Sequence, residues 1–270
     1  MKTVLLTGAA GGVGSRLRKL LGGVYPELRL SDVVDIKDLG PGERFARADL
    51  ADLAAVETLL EGVEGVIHLG AASVERPWEE ILHANIVGAY NLFEAARRRS
   101  VKRVVFASSN HVVGFYRRNR RIDTGVPARP DSRYGVSKAY GEALGAYYAD
   151  KFGLRVLAIR IGNVADRPVD LRRMSIWIKP DDLAQLVRIG LEHPGLHYEV
   201  VYGVSDNARG WWDNETAFRL GYRPIGRSED HRDAALADQA KLAPDPIGDF
   251  FQGGAFCSDE FAGDLDRAGS

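Results

Sequence analysis

A doubly wound α/β fold, one parallel sheet with helices on both faces, is what this sequence predicts, and three observations carry it. Apolar runs of strand length alternate with helical stretches from the start of the chain to Ile161. A glycine-rich turn, Thr7-Gly8-Ala9-Ala10-Gly11-Gly12-Val13-Gly14, joins the first strand to the first helix. Tyr134 and Lys138 stand four residues apart at the head of a later helical stretch.

Each element follows from its local pattern. Val4 to Thr7 is a short buried-strand run, and Val13 to Leu21 is the helix after the glycine turn. Leu28 to Val33 reads as the second strand, Arg44 to Ala48 as a weaker third, Leu53 to Leu60 as a helix and Val66 to Leu69 as a strand. Glu79 to Arg99 places Leu82, Ile86, Tyr90, Phe93 and Ala96 mostly at helical spacing. Val104 to Ala107 is a strand, Tyr134 to Phe152 a long helix and Val156 to Ile161 another strand. After Asn163 the regularity falters: Asp181 to Glu192 is helical, Tyr198 to Tyr202 strand-like, and the rest is broken by Gly and Pro. The expected organisation is a Rossmann-type dinucleotide-binding domain over residues 1–163. A small substrate lobe and tail over 164–270 would belong to the same compact unit.

Composition narrows the partners. The chain has 270 residues, 45% hydrophobic and 27% charged, which is ordinary globular composition. A net charge of -1 suggests neither nucleic acid nor an anionic membrane. Arg97-Arg98-Arg99 and Arg117-Arg118-Asn119-Arg120-Arg121 are local runs that end a helix or coat a loop. Cys257 is the single cysteine, so no internal disulfide forms and a reducing cytoplasm is expected. No apolar run reaches membrane-spanning length. Met1 to Leu6 runs straight into the glycine turn and reads as a strand rather than a signal peptide.

Gly8, Gly11 and Gly14 follow a strand at three-residue intervals and open a helix. Missing side chains let a pyrophosphate approach the backbone, and the helix-end N–H groups favour its charge. Asp32 lies eighteen residues after Gly14, near the end of the second strand. A carboxylate there accepts hydrogen bonds from ribose hydroxyls and repels a 2′-phosphate, so NAD is preferred over NADP. Asp35 competes for that role; Asp32 is closer to the strand end. Asp49-Leu50 either flanks the adenine or, through Asp49, caps the helix from Leu53.

A free tyrosine ionises near pH 10, about three units too high for a base at neutral pH. An ammonium beside it favours the phenolate, and positions i and i+4 of a helix share a face. Tyr134 and Lys138 therefore form a candidate acid–base pair. Ser108-Ser109-Asn110-His111 follows a strand, and residues just past the carboxyl ends of parallel strands line the ligand crevice. Ser109 there can hydrogen-bond a reacting oxygen.

Tyr134-x-x-x-Lys138, Ser109, the Gly8/Gly11/Gly14 turn and Asn85 to Ala96 together resemble the extended short-chain dehydrogenase/reductase superfamily. A closer resemblance, to the uronate dehydrogenases, covers nearly the whole chain. It rests on His68-Leu69-Gly70-Ala71-Ala72-Ser73-Val74-Glu75-Arg76-Pro77, Phe106 to His111, Gly210-Trp211-Trp212-Asp213-Asn214 and Phe251-Gln252-Gly253-Gly254-Ala255-Phe256. The resemblance implies NAD-dependent oxidation of the anomeric carbon of galacturonate or glucuronate to an aldarolactone. It implies catalytic roles for Tyr134, Lys138 and Ser109. Cofactor contacts are implied at Gly8, Gly11, Gly12, Val13, Gly14, Asp32, Asp49, Leu50, Leu69, Gly70, Ala71, Lys138 and Asn163. Substrate contacts are implied at Ser73, Ser109, Asn110, His111, Tyr134, Asn163 and Arg172, with Arg172 chosen over Arg173 by ungapped alignment. Asn163 stands where the family pattern has serine; an amide can still donate and accept a hydrogen bond.

The chemistry independently suits an arginine at the far end of the sugar, because a guanidinium fork holds a carboxylate bidentately. The bland alternative for Arg172 is a surface charge, and for His111 a structural hydrogen-bonder. Trp211-Trp212 reads as packing under the substrate lobe. Phe251, Phe256 and Phe261 read as anchors of the tail, on the body or on a neighbouring subunit. No metal is required, a homo-oligomer is expected, and the partner is a small uronic acid. The competing readings are a nucleotide-sugar epimerase or dehydratase with the same Ser, Tyr and Lys, or a silent NAD-binding regulator.

Overall fold

The structure, a computed structural model, describes residues 1–269. The chain alternates from the start: β1 (Thr3–Thr7), α1 (Gly12–Leu21), β2 (Glu27–Ser31), β3 (Glu43–Phe45), α2 (Leu53–Leu59), β4 (Gly65–His68) and α3 (Trp78–Ile81). A π-helical turn over Leu82–Val87 leads into α4 (Gly88–Arg98), then β5 (Arg103–Ser109), α5 (Arg133–Phe152), β6 (Arg155–Ile161) and β7 (Asn163–Val164). Next come α6 (Leu171–Ile176), β8 (Trp177–Ile178), α7 (Pro180–Glu192), β9 (Tyr198–Gly203) and α8 (Glu215–Arg219). The chain closes with α9 (Arg232–Gln239), α10 (Pro246–Phe250) and α11 (Ala255–Ser258).

Seven strands form one parallel sheet in the order β3-β2-β1-β4-β5-β6-β9, as the alternation predicts. Strand order reverses between β1 and β4, which opens a crevice at their carboxyl ends. Leu17, Leu21, Leu183, Leu186 and Val187 of α1 and α7 bury one face of the sheet; Val56, Leu59, Leu92, Phe93 and Tyr148 of α2, α4 and α5 bury the other. Residues after 163 thus supply β9 to the sheet and α7 to its cover.

The second strand ends at Ser31 rather than Val33, the third at Phe45 rather than Ala48, and short elements form after Asn163 where irregular chain was expected. Three of the differences have identifiable reasons. β5 runs two residues further than Ala107, because Ser108 and Ser109 stay paired with Arg160 and Ile161 of β6. The stretch expected as one helix from Glu79 to Arg99 contains the π turn, a feature that often marks functional sites. Within that turn the buried Asn85 amide accepts from Ala72 N and donates to Ala72 O and Ser137 Oγ. Residues 171–176, expected to be irregular, form α6, whose Asp170 cap accepts from Arg173 N.

α5 lies unusually close to the sheet. A Cβ on Gly141 would sit 2.1 Å from Phe106 Cζ, and one on Gly135 would sit 2.4 Å from the His111 carbonyl oxygen. Both positions leave no space for a side chain, Gly141 against β5 and Gly135 against the turn that follows it. Ser132 caps this helix, accepting from Gly135 N at 3.0 Å, and Gly153 ends it in the left-handed conformation.

The tail folds back on its own chain. Arg117 donates to the carbonyls of Leu265, Asp266 and Ala268, and Arg118 to those of Gly248 and Phe251. The second arginine run therefore does coat a loop, and it also clasps the tail. Trp212 stacks on Tyr202 at 4.6 Å, a packing unit as expected. Among the described residues no helix is long and apolar enough to cross a membrane.

Candidate active site

A cleft of about 1000 Å³ opens at the carboxyl ends of the strands. That is the upper end of the size range for small-molecule sites. Its walls include Gly8, Gly11, Gly12, Val13, Gly14, Asp32, Asp49, Leu50, Leu69, Gly70, Ala71, Ser73, Ser109, Asn110, His111, Tyr134, Lys138 and Asn163. The fold thus gathers every residue expected at the site except Arg172.

One end of the cleft is the glycine turn. A Cβ on Gly14 would lie 2.1 Å from the Gly8 carbonyl oxygen, so the chain can turn this tightly only with glycine there. Around Gly12 only Arg16 Nη1, at 3.8 Å, would meet a Cβ, which leaves room for a phosphate. No side chain caps the start of α1, so its first N–H groups are free to meet an anion. Asp32 lies one residue past β2; its carboxylate accepts from Ala10 N at 3.0 Å and from Val34 N at 3.1 Å. It is tied to the turn, while Asp35 pairs with Arg47 at 3.6 Å. Asp49 accepts from Ala51 N, whereas the cap of α2 is Asp52. Asp49 is therefore free of the capping role that sequence left open. The residues present fit an NAD-type dinucleotide.

The other end holds the titratable cluster. Tyr134 and Lys138 are both buried on the inner face of α5. Lys138 Nζ lies 5.5 Å from the Tyr134 ring centroid and 5.2 Å from that of Phe106. Burial pushes the Lys138 ammonium down from 10.5 to about 8. Burial also raises the Tyr134 phenol to about 12; the hydrogen bond with Ser109 opposes the rise and the charge of Asp131 adds to it. In the cofactor-free site burial outweighs the Ser109 hydrogen bond, so the phenol is raised rather than lowered. Beneath them His68 is held neutral, its pKa pushed down to about 3 by burial and by Lys138. Its Nδ1 shares a 2.9 Å hydrogen bond with Thr7 Oγ1, which also accepts from Gly70 N.

His111 is held from behind. Its Nδ1 lies 2.7 Å from Asp131 Oδ2, and Phe256 of α11 stacks on its ring at 3.8 Å. Phe256 thus anchors the tail within its own chain and packs behind His111 and Tyr134, a position sequence spacing could not reveal. Asp131 also carried no sequence signal. Glu80 and His83, which line the cleft, sit one turn apart on a helix that the periodicity did locate. Arg172 lies outside the cleft lining. Its Nε donates to the Gln252 carbonyl at 2.9 Å, it packs on Gly254, and its Nη2 is buried without a partner. Burial lowers its pKa to about 10, with Arg118 and Arg173 adding to the fall and Asp131 and Asp170 opposing it. It is no surface charge.

The Lys138 shift has a thermodynamic consequence. A cation whose folded pKa lies below its unfolded one leaves the folded protein with fewer protons between the two values. Stability then rises with pH from about 8 to 10.5. Lys138→Met should stabilise the cofactor-free protein at pH 7 by up to about 3 kcal/mol, and the gain should shrink across that window. Urea denaturation at pH 7 and pH 10 reads it; a variant no more stable than the parent at pH 7 contradicts the assignment.

The family model for the NAD dependent epimerase/dehydratase family matches residues 4–169. Uronate dehydrogenase of Pseudomonas putida is 50% identical over 254 residues, 94% of each chain. The crystal structure of glucuronic acid dehydrogenase from Chromohalobacter salexigens is 47% identical with a TM-score of 0.92, covering 99% of both chains. A mutant uronate dehydrogenase from Agrobacterium tumefaciens, complexed with NAD, is 42% identical with a TM-score of 0.91, covering 96% of this chain and 97% of that one. With fold, cleft and sequence in agreement over nearly its whole length, the chain belongs to the uronate dehydrogenases, within the NAD-dependent epimerase/dehydratase family.

Proposed function

We propose that the protein oxidises C1 of a cyclic uronic acid, galacturonate or glucuronate, to the aldarolactone. The observation that carries this is the joining of a glycine-turn cleft to a buried Ser109–Tyr134–Lys138 cluster, with an arginine nearby whose Nη2 is buried without an acceptor. NAD⁺, when bound, supplies the hydride acceptor and a positive charge beside the reacting carbon. The Gly11–Gly14 turn would hold its pyrophosphate, Asp32 the adenosine ribose, Asp49 and Leu50 the adenine edge, and Lys138 the nicotinamide ribose.

Tyr134 takes the proton of the C1 hydroxyl as the C1–H bond breaks. Its phenol starts high, at about 12, so it must be ionised by charge brought to the site, and Lys138 is the cation the chain itself provides. Ser109 holds the C1 oxygen while it gains carbonyl character. Asn110, whose side-chain Nδ2 is buried and unpartnered, donates to a sugar hydroxyl. Ser73, His111 and Asn163 contact the remaining hydroxyls. Arg172 receives the carboxylate, with Asp131 placed to orient His111. Residues 164–270 act as the substrate lobe through Arg172 and Phe256, although β9 belongs to the sheet.

We also propose a homo-oligomer. α4 and α5 pack together and leave Tyr90, Val136, Tyr147 and Phe152 exposed, and large apolar side chains gathered in this way mark association surfaces. Sedimentation should give a multiple of the single-chain mass, and Tyr147→Glu should lower it; a monomer at micromolar concentration sinks the idea.

The activity itself is tested by NAD⁺ reduction with galacturonate. Tyr134→Phe should bind NAD⁺ as the parent does and lose on the order of 10²- to 10⁴-fold in kcat. Turnover at the parental rate would remove the tyrosine from the mechanism. Arg172→Ala should raise KM for uronates roughly 10- to 100-fold, the value of a charge-assisted pair. Any residual rate on neutral hexoses should be hardly changed; an equal loss on both would dispose of the carboxylate role.

A further inference from the structure

Glu142 lies two turns beyond Tyr134 and one beyond Lys138, on the same buried face of α5. Its carboxylate is buried and fully engaged. Oε1 accepts from Ser108 Oγ at 2.5 Å and from Arg160 Nε at 2.9 Å, and Oε2 accepts from Arg160 Nη2 at 2.9 Å. Arg160 is buried too, on β6, and its Nη1 reaches the Tyr202 hydroxyl and the Thr124 carbonyl. Ser108 immediately precedes Ser109 on β5. One carboxylate thus binds α5 to both strands that flank the reacting groups.

The packing around it is close. A Cβ on Gly141 would lie 2.1 Å from Phe106 Cζ of β5 and one on Gly145 3.1 Å from Val156 Cγ1 of β6, so α5 meets both strands through apolar contacts at its glycines. Glu142 adds a directional polar tie between the same three elements. One residue of slip would move Tyr134 by about 1.5 Å along the axis and rotate it by roughly 100°. A misplacement of about 1 Å at a reacting group can cost on the order of 10²-fold in rate. Stability alone is a weak reason for the pair, since apolar side chains of similar size often replace a buried ion pair without loss.

We propose that Glu142 and Arg160 are positioning residues: their ion pair sets the axial register of α5 and so fixes Tyr134 and Lys138 against Ser109. The inference rests on the dehydrogenase reading above. Neither residue lines the cleft, so neither need touch substrate or cofactor.

The test is the double variant Glu142→Leu/Arg160→Met, which removes both charges and keeps the volume. Its melting temperature, NAD⁺ dissociation constant, galacturonate KM and kcat are measured beside the parent. The expected result is a folded protein with both binding constants within about threefold and kcat lower by about 10- to 100-fold, unrecovered at saturating substrate. A kcat within about twofold of the parent overturns the proposal, as does a loss no larger than the unfolded fraction explains. If the double variant fails to fold, Ser108→Ala cuts the tether to β5 and leaves the ion pair intact. A kcat lowered about threefold or more at unchanged melting temperature and KM supports the register role, and an unchanged kcat overturns it. If the parent reduces no NAD⁺ with galacturonate, the activity reading has failed, and that outcome is seen before any variant is assayed.

Discussion

Lys138 is a buried amine with no carboxylate beside it, and the organisation of the site depends on how the fold tolerates that. Among the described residues no ion pair involves its Nζ, which lies over the Phe106 and Tyr134 rings. Burying a cation unpaired is costly, and the cost appears as a pKa held near 8. A protein optimised for stability alone would place an apolar residue there. The same burial raises Tyr134, so the cofactor-free site rests with a neutral phenol and an amine that readily loses its proton. Both groups are held away from their ordinary ionisation, as acid–base sites require. The two large cores on either face of the sheet supply the stability that this arrangement consumes.

Position follows from topology. The reversal of strand order between β1 and β4 makes the crevice, and the strands that border it present their last residues at one edge. Thr7 at the end of β1 and His68 at the end of β4 hydrogen-bond across that edge, and Thr7 also holds Gly70 N. Asn85 clasps Ala72 from the π turn, and Glu75 accepts from Tyr134 N at 2.9 Å. The loop bearing Ser73 is thereby tied both to the sheet edge and to the head of α5. The cleft is built from hydrogen-bonded junctions between separate elements.

The local half of this design was legible in the sequence. The alternation up to Ile161, the glycine turn and the four-residue spacing of Tyr134 and Lys138 are all periodic or adjacent signals. The structure places those residues in one cleft. The non-local half was not legible. Asp131 meets His111, Glu142 meets Arg160 and Phe256 meets His111 only after the chain has folded. Each side chain alone reads as an ordinary charge or an ordinary aromatic. The raised phenol of the cofactor-free site was not legible for a related reason: charge proximity is visible in a helix spacing, whereas depth of burial is a property of the whole fold. The short elements after Asn163 escaped because eight residues or fewer carry too little periodicity; local devices that shape them, such as Asp170 and Asp245 as caps and Gly254 at positive φ, do not stand out in the sequence.

If Arg172 receives the carboxylate as proposed, specificity for an acidic sugar rests on how the tail holds it. Its Nη2 is buried with no acceptor, while its Nε is fixed by the Gln252 carbonyl. Gln252 is itself fully engaged: its side chain accepts from Trp212 Nε1 and donates to the carbonyls of Arg117 and Arg120. The guanidinium therefore cannot turn freely to find another partner, and its unmet donor is a standing cost that an anion would relieve. Sites that leave a buried donor unmet discriminate more strongly than sites that only fit shape, because the wrong substrate leaves the cost in place. A neutral hexose entering the same cleft meets the same serine, tyrosine and lysine but leaves Arg172 unanswered. On this reading the carboxylate is selected by the tail, through Gln252 and Gly254, while the oxidation is carried by the sheet edge. That division would give a segment with so little regular structure a reason to be clasped by Arg117 and Arg118.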